Sequence, residues 1–271
     1  MFCICKATVI GVLLLLVTPA SVAAAEPPEA LACAEVSQIN RDAEAGNPQA
    51  QATLAKLYRG GLCGLSKDDG NAAKWARLAS GKGNASGEAL LAFLLNRGLG
   101  VTRDDVEAVK WARLSAQQGY IPGVYYLAVL LHHGWGAPRD DAEAIKWARL
   151  AAEHGNLPAA GFLALMLYEN SNTPKDDIET VKWARRAGEH GDGGAQFVLG
   201  RMFLKGRGGL PRDLIEGDMW HILAERSGDG GTSTELAQKH VEALMSKEEI
   251  AEAHRRADAW KPKPEVGALQ E

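Results

Sequence analysis

The sequence is poor in aromatic residues, which fill 6% of its 271 positions. A core of large rings is therefore excluded, and small, closely packed side chains must take their place. An excess of positive charge is also missing: 30 Lys and Arg face 34 Asp and Glu, for a formal net charge of −4. A mildly acidic chain lacks the electrostatic footprint of a nucleic-acid binder, so no nucleic-acid partner is expected. Beyond the first 25 residues no apolar run approaches the ~20 residues of a spanning helix, which implies no stable membrane insertion of the remainder. Signatures of chemistry are absent too. No serine has a lysine three residues on, as the penicillin-recognising serine enzymes require, and no glycine loop has phosphate-binding spacing. His132 and His133 are adjacent, so on a helix they point about 100° apart and make poor joint metal ligands. The sequence implies neither catalytic residues nor a cofactor nor a metal.

What is present begins with an address. Lys6 precedes the apolar core Val9–Val17, Thr18 and Pro19 break it, and Ala23-Ala24-Ala25 supplies the small residues that a signal peptidase reads. Residues 1–25 are read as a signal peptide and 26–30 as a linker. Cleavage after Ala25 removes 25 of the 271 residues and leaves 246. The alternatives are an uncleaved anchor, for which the apolar core is short, and lipidation at Cys33, which sits awkwardly behind Glu26, Pro27, Pro28 and Glu29. Of four cysteines, Cys3 and Cys5 fall in the signal, so the mature chain keeps Cys33 and Cys63. Two cysteines in an exported protein are candidates for a disulfide.

The rest of the chain repeats. Lys-Trp-Ala-Arg occurs at residues 74–77, 110–113, 146–149 and 182–185, always 36 apart. Trp75, Trp111, Trp147 and Trp183 thus form a series that Trp220 continues at a spacing of 37. A period of this size is the mark of a solenoid of supersecondary units. An aspartate stands seven residues before each tryptophan, at Asp68, Asp104, Asp140, Asp176 and Asp213. Glu107, Glu143, Glu179 and Glu216 follow three residues later in four units, the spacing of an N-terminal capping box. A glycine closes each helix fifteen residues after the aspartate, from Gly83 to Gly228. A shorter, more apolar helix precedes each of these, over about 87–97, 122–133, 158–169 and 194–205, followed by a loop such as Gly98-Leu99-Gly100 or Gly134-Trp135-Gly136. Ala108, Ala112 and Ser115, and likewise Ala144, Ala148 and Ala151, make small-residue stripes on which a neighbouring helix can lie closely. The Lys-x-x-Arg pairs read as a solvated face balanced by Asp105, Glu107, Asp141, Glu143, Asp177 and Glu179. His154 and His190 occupy equivalent slots before a terminal glycine, where histidine suits a helix C-terminus.

The order of small residue, Leu-Ala, Gly-x-Gly, Asp, Ala, Trp, Ala and Gly resembles the Sel1-like repeat family, a relative of the tetratricopeptide repeat. Gly123, Leu127, Ala128, Gly134, Gly136, Asp140, Ala144, Trp147, Ala151 and Gly155 carry it in the third unit. The resemblance implies an all-α, right-handed solenoid. Its parts would be a cap helix at 31–47, repeats at 48–84, 85–120, 121–156, 157–192 and 193–228, a helical C-terminal cap at 229–260 and a tail at 261–271. In that register Cys33 starts the cap helix and Cys63 follows an antiparallel helix, so a Cys33–Cys63 disulfide is expected. The resemblance also implies a non-catalytic scaffold that binds another protein, in a bacterial periplasm or as a secreted host-interaction factor. A cysteine-rich branch of the family implies a rival, a β-lactam-binding or β-lactam-hydrolysing enzyme, although this chain has one candidate cysteine pair in all. By resemblance the first helices line a concave face, which nominates Arg97, Tyr125, Tyr126, His132, His133 and Tyr168 as partner contacts. Trp135, in a loop, is either an exposed anchor or a cover for its own backbone.

Overall fold

The structure is a computed structural model that describes residues 36–170, 173–228 and 238–264. The expected signal, linker and Cys33 lie outside the described residues, as does much of the first C-terminal helix. The described residues hold helices and no strand. A cap helix α1 (Val36–Glu44) is followed by five antiparallel pairs: α2 (Pro48–Gly60) with α3 (Asp69–Ser80), α4 (Ala85–Arg97) with α5 (Asp105–Gln117), α6 (Ile121–His133) with α7 (Asp141–Glu153), α8 (Leu157–Asn170) with α9 (Pro174–Gly188), and α10 (Gly193–Lys205) with α11 (Leu214–Arg226). Residues 238–242 are helical and α12 (Lys247–Ala259) packs on α11.

The punctuation follows from single residues. Asp68, Asp104, Asp140 and Asp213 are extended N-caps whose carboxylates accept a backbone N–H three residues on. Gly83, Gly119, Gly155, Gly191 and Gly228 all take positive φ, between 75° and 99°. Behind Gly119, Tyr120 N–H reaches back to Ser115 O, which satisfies an orphan carbonyl of the helix end. The residue after the glycine then caps the next helix: Asn47, Asn84, Asn156 and Asp192 each accept a backbone N–H of the following turn. One glycine therefore ends a helix and its neighbour starts another, which keeps each turn short.

Two expectations are corrected. Glu107, Glu143, Glu179 and Glu216 do not complete capping boxes; Glu216 pairs with Arg256. Glu107, Glu143 and Glu179 each accept the indole N–H of their own unit's tryptophan (Trp111, Trp147 and Trp183, at 3.0, 3.1 and 3.2 Å). Each also takes the Lys-Trp-Ala-Arg arginine of the preceding unit, as Arg77–Glu107 at 3.1 Å, Arg113–Glu143 at 2.7 Å and Arg149–Glu179 at 2.8 Å. The arginine heads are thus tied between layers rather than left in water. Half-exposed pairs of this kind contribute well under ~1 kcal/mol each, so they set register more than stability. In the fourth unit the cap is Thr173, not Asp176. Pro174 fits the first helical position, and Thr173 and Asp176 form the reciprocal box there.

Packing between layers rests on alanine. Ala108, Ala112, Ser115, Ala144, Ala148 and Ala151 are all fully buried. Ser115 Oγ donates to Ala85 O of the preceding turn at 2.7 Å. Trp75, Trp111 and Trp147 are half-buried against this core, whereas Trp183 and Trp220 are 2% and 7% exposed. The second glycine of each loop meets the preceding layer: a Cβ on Gly100, Gly136 or Gly208 would fall 2.0, 1.8 or 2.5 Å from the carbonyl oxygen of Asp69, Asp105 or Asp177.

Candidate functional site

The first helices α2, α4, α6, α8 and α10 lie side by side, and their backbones approach closely at the α2–α4, α4–α6 and α8–α10 junctions. Their outward side chains form a chain of ring contacts. The Arg59 guanidinium sits 4.3 Å from the centroid of Phe93, and Phe93 lies 5.7 Å from Tyr126. Tyr126 donates its hydroxyl to Asn96 Oδ1 at 2.8 Å and also touches Arg97. Burial pushes that phenol up to about 12, so it is a neutral donor at every physiological pH. Arg97 is exposed and stands 6.0 Å from the Trp135 ring. Trp135 stacks on His133 at 4.3 Å, His133 neighbours His132 at 4.9 Å, and Phe162 lies edge-on to both His132 and Tyr125, at 5.4 and 6.0 Å.

Burial, reinforced by the charges of His132, Arg139 and Arg97, holds the His133 imidazole below its ordinary value. It is therefore neutral at pH 7 and stacks as an aromatic ring. His132 Nδ1 is committed to Asp141 at 2.8 Å. Asn96 holds Asp105 in the same way one unit earlier, at 2.7 Å. His132 thus fills a positioning slot. Among the described residues no group of three or more His, Cys, Asp or Glu is placed to hold a metal.

Six of the nominated residues, Arg97, Tyr125, Tyr126, His132, His133 and Trp135, come together in this one strip. Tyr168 lies further along it, on α8, where its hydroxyl accepts from Arg201 Nε at 3.2 Å and Lys205 Nζ at 3.0 Å. Burial would raise this phenol, but the hydrogen bonds from Lys205 and Arg201 outweigh it and hold it below the ordinary tyrosine value. Trp135 is half-buried and packs on the core, so it is neither a free anchor nor sealed away. Arg59, Phe93, Phe162, Arg201 and Lys205 belong to the strip and were not singled out from the sequence. The signal lay in comparing slots: Phe93, Val129, Leu165 and Arg201 share one, and only the two ends carry ring or charge. His154 and His190 fulfil the structural reading, each with Nδ1 on a carbonyl of its own helix, Leu150 O and Arg186 O. Cys63 has a φ of 55°.

A second departure from the repeat is buried. Asp218 stands where Val109, Ile145 and Val181 stand in other units, and His221 where Ala112, Ala148 and Ala184 stand. Both are fully buried on α11, and among the described residues no side-chain N or O atom of either has a hydrogen-bond partner. His221 stacks on Phe197 at 5.5 Å, and Gly200 replaces the usual alanine because a Cβ there would fall 2.3 Å from His221 Cδ2. Burial, aided by Glu242 and opposed by His254, pushes the Asp218 carboxyl up from 3.8 to about 6. Burial, aided by Arg201, pushes His221 down from 6.5 to about 4.

A carboxyl raised on folding destabilises the protein above its folded value, and the penalty disappears as pH falls toward its unfolded value. Asp218→Asn should therefore stabilise the chain at pH 8 by roughly 1–2 kcal/mol, and the gain should shrink between pH 6 and 4. Urea unfolding at both ends of that range checks this; an equal gain at both would contradict it.

Comparison with known proteins follows the same register. The family model for the Sel1 repeat matches residues 48–84, 85–120, 121–156, 157–192 and 194–229. The chain is similar in structure to a Sel1 repeat protein from Oxalobacter formigenes, with TM-score 0.65 at 25% identity over 88% of this chain and 98% of that one. It is similar also to c5321, a protective antigen of uropathogenic Escherichia coli strains displaying an SLR fold. There the TM-score is 0.67 at 22% identity, over 88% of this chain and 60% of that one. A Sel1 repeat protein from Klebsiella pneumoniae gives a TM-score of 0.50 at 23% identity, over 76% and 99%. No curated protein matches the chain.

Proposed function

The chain belongs to the Sel1 repeat family, and on that premise we propose that it is an exported, non-catalytic scaffold whose first-helix face binds another protein. The observation that carries this reading is the strip of rings from Phe93 through Tyr126, Trp135 and His133 to Phe162, interleaved with Arg59 and Arg97. Rings and arginines set on rigid helices are the composition of protein-binding hot spots. The family generally mediates protein–protein interaction, which supports the same conclusion. We assign Trp135 a contact role. Trp135→Ala should reduce recovery of a crosslinked partner at least tenfold and lower the melting temperature by only a few degrees. Undiminished recovery would remove the assignment.

The N-terminal pattern supports export, with the periplasm as the proposed compartment, and we pair Cys63 with Cys33. Chain-entropy arithmetic for a loop of about 30 residues puts the contribution of that bridge at roughly 3–4 kcal/mol, less any strain. Intact mass of protein taken from the cell envelope tests both points. The expected chain starts at Glu26 and gains the mass of two hydrogens on reduction. A chain starting at Met1, or an unchanged mass on reduction, would contradict the respective half.

A further inference from the structure

We propose that the first-helix strip takes an extended, acidic peptide segment of its partner, its carboxylates meeting Arg59, Arg97, Arg201 and Lys205 and its apolar side chains lying on the rings between them. This rests on the scaffold reading and adds the partner's chemistry.

Charge bookkeeping along the face carries the inference. The chain as a whole is acidic, with a net charge of −4. Along the strip the balance is reversed. Three of its carboxylates are committed to arginines: Asp105 is held by Arg103 at 2.7 Å, Asp141 by Arg139 at 2.6 Å and Asp177 by Arg207 at 2.5 Å, while Asp192 acts on Tyr125. Glu169, exposed at the end of α8, is felt by Arg139. What remains over is cationic. Arg59, Arg97, Arg201 and Lys205 have no carboxylate partner among the described residues; each is turned onto a ring or a phenol instead.

On the outer face three of the four repeat arginines, Arg77, Arg113 and Arg149, are tied to glutamates, while Arg185, Lys182 and Arg186 lie over Phe203 and Trp183 near its C-terminal end. A guanidinium parked over an aromatic face is pre-placed and partly desolvated, so it meets an incoming carboxylate without first breaking an ion pair. The alternation of cation and ring along one line suits a segment in which acidic and apolar residues alternate. Five neighbouring helices at roughly 10 Å spacing span about 40 Å, which an extended segment of about 12 residues would cover. A long polyanion or an anionic membrane would meet the acidic remainder of the surface and be repelled. That favours a short peptide over either.

The test uses the mature full-length protein and a fluorescein-labelled synthetic peptide of about 12 residues that repeats Glu-Leu-Glu-Trp. Controls carry Gln or Lys in place of Glu. By fluorescence anisotropy at low salt the Glu peptide should bind at least tenfold tighter than the Gln peptide. That advantage should shrink as salt rises from about 50 to about 300 mM. A variant combining Arg97→Glu, Arg201→Glu and Lys205→Glu should reverse the order and prefer the Lys peptide. The salt titration of the wild type needs no variant, so the outcome is decided even where the triple variant fails to fold. Equal affinity for the Glu and Gln peptides, or tighter binding of a single-stranded oligonucleotide of matched length or of phosphatidylglycerol vesicles, would overturn the proposal. A cellular partner crosslinked equally by wild type and folded triple variant would overturn it while leaving the scaffold reading in place.

Discussion

Gly136→Ala is expected to destabilise the protein by roughly 3–5 kcal/mol, against about 1 kcal/mol for Gly155→Ala. Both glycines have positive φ, 73° and 89°, so both substitutions carry the left-handed penalty of an L side chain. They differ in what surrounds them. A Cβ on Gly136 would lie 1.8 Å from Asp105 O and 2.2 Å from its carbonyl carbon, whereas nothing stands within 4 Å of one on Gly155. The atoms met at Gly136 are backbone of the preceding layer's helix N-terminus, which is also held by Asp104 and Asn96. No side-chain rotation relieves the clash, so the loop or the whole layer must move. Urea unfolding of the two variants and wild type measures the difference directly. Similar losses for both would mean that backbone conformation alone, not layer contact, explains the second glycine of the loop.

Trp183→Ala should cost about 3–5 kcal/mol, and Trp75→Ala about half that or less. The two occupy the same slot, but Trp183 is 2% exposed while Trp75 is half-buried near the N-terminal end. Trp183 donates to Glu179 at 3.2 Å, and the ring lies under Lys182 at 4.7 Å and Arg186 at 5.6 Å. Its removal leaves a cavity in a core that is otherwise fully packed at this layer. Because each layer touches only its neighbours, the loss should also broaden unfolding or split it into two steps, as α8–α9 uncouples from α10–α11. Calorimetry of both variants distinguishes this from uniform weakening. A larger loss for Trp75→Ala would contradict the burial gradient.

Much of the fold was legible because the period is strict. The spacing places the first helix of the third unit at 122–133, and the structure has Ile121–His133. Gly119 and Gly155 were readable as helix stops from their fixed distance to the aspartate caps. One class of misread feature has its partner in another layer. Glu107 looks like half of a local capping box, yet the group that claims it, Arg77, is 30 residues upstream. Thr173 displaced Asp176 as a cap through Pro174, a cue that was visible but overridden by the repeat register.

The candidate site was half legible. Arg97, Tyr126, His133 and Trp135 stood out as departures from the pattern, but their mutual stacking depends on side-chain direction across three helices. Arg59 and Phe93 were hidden because a single arginine or phenylalanine on a helix predicts no contact. Asp218 and His221 were visible in principle, as polar residues in slots where the other units have valine, isoleucine or alanine. The compensating Gly200 becomes meaningful only once His221 is seen against it.

On the proposed reading the first-helix face, not the outer face, holds the partner. Site-specific photo-crosslinking in cells tests it, with a photoreactive phenylalanine analogue placed at Arg97 on the strip or at Lys110 on the outer face, both exposed. A discrete crosslinked adduct is expected from position 97 and none from position 110. An adduct from position 110 with none from position 97 would contradict it.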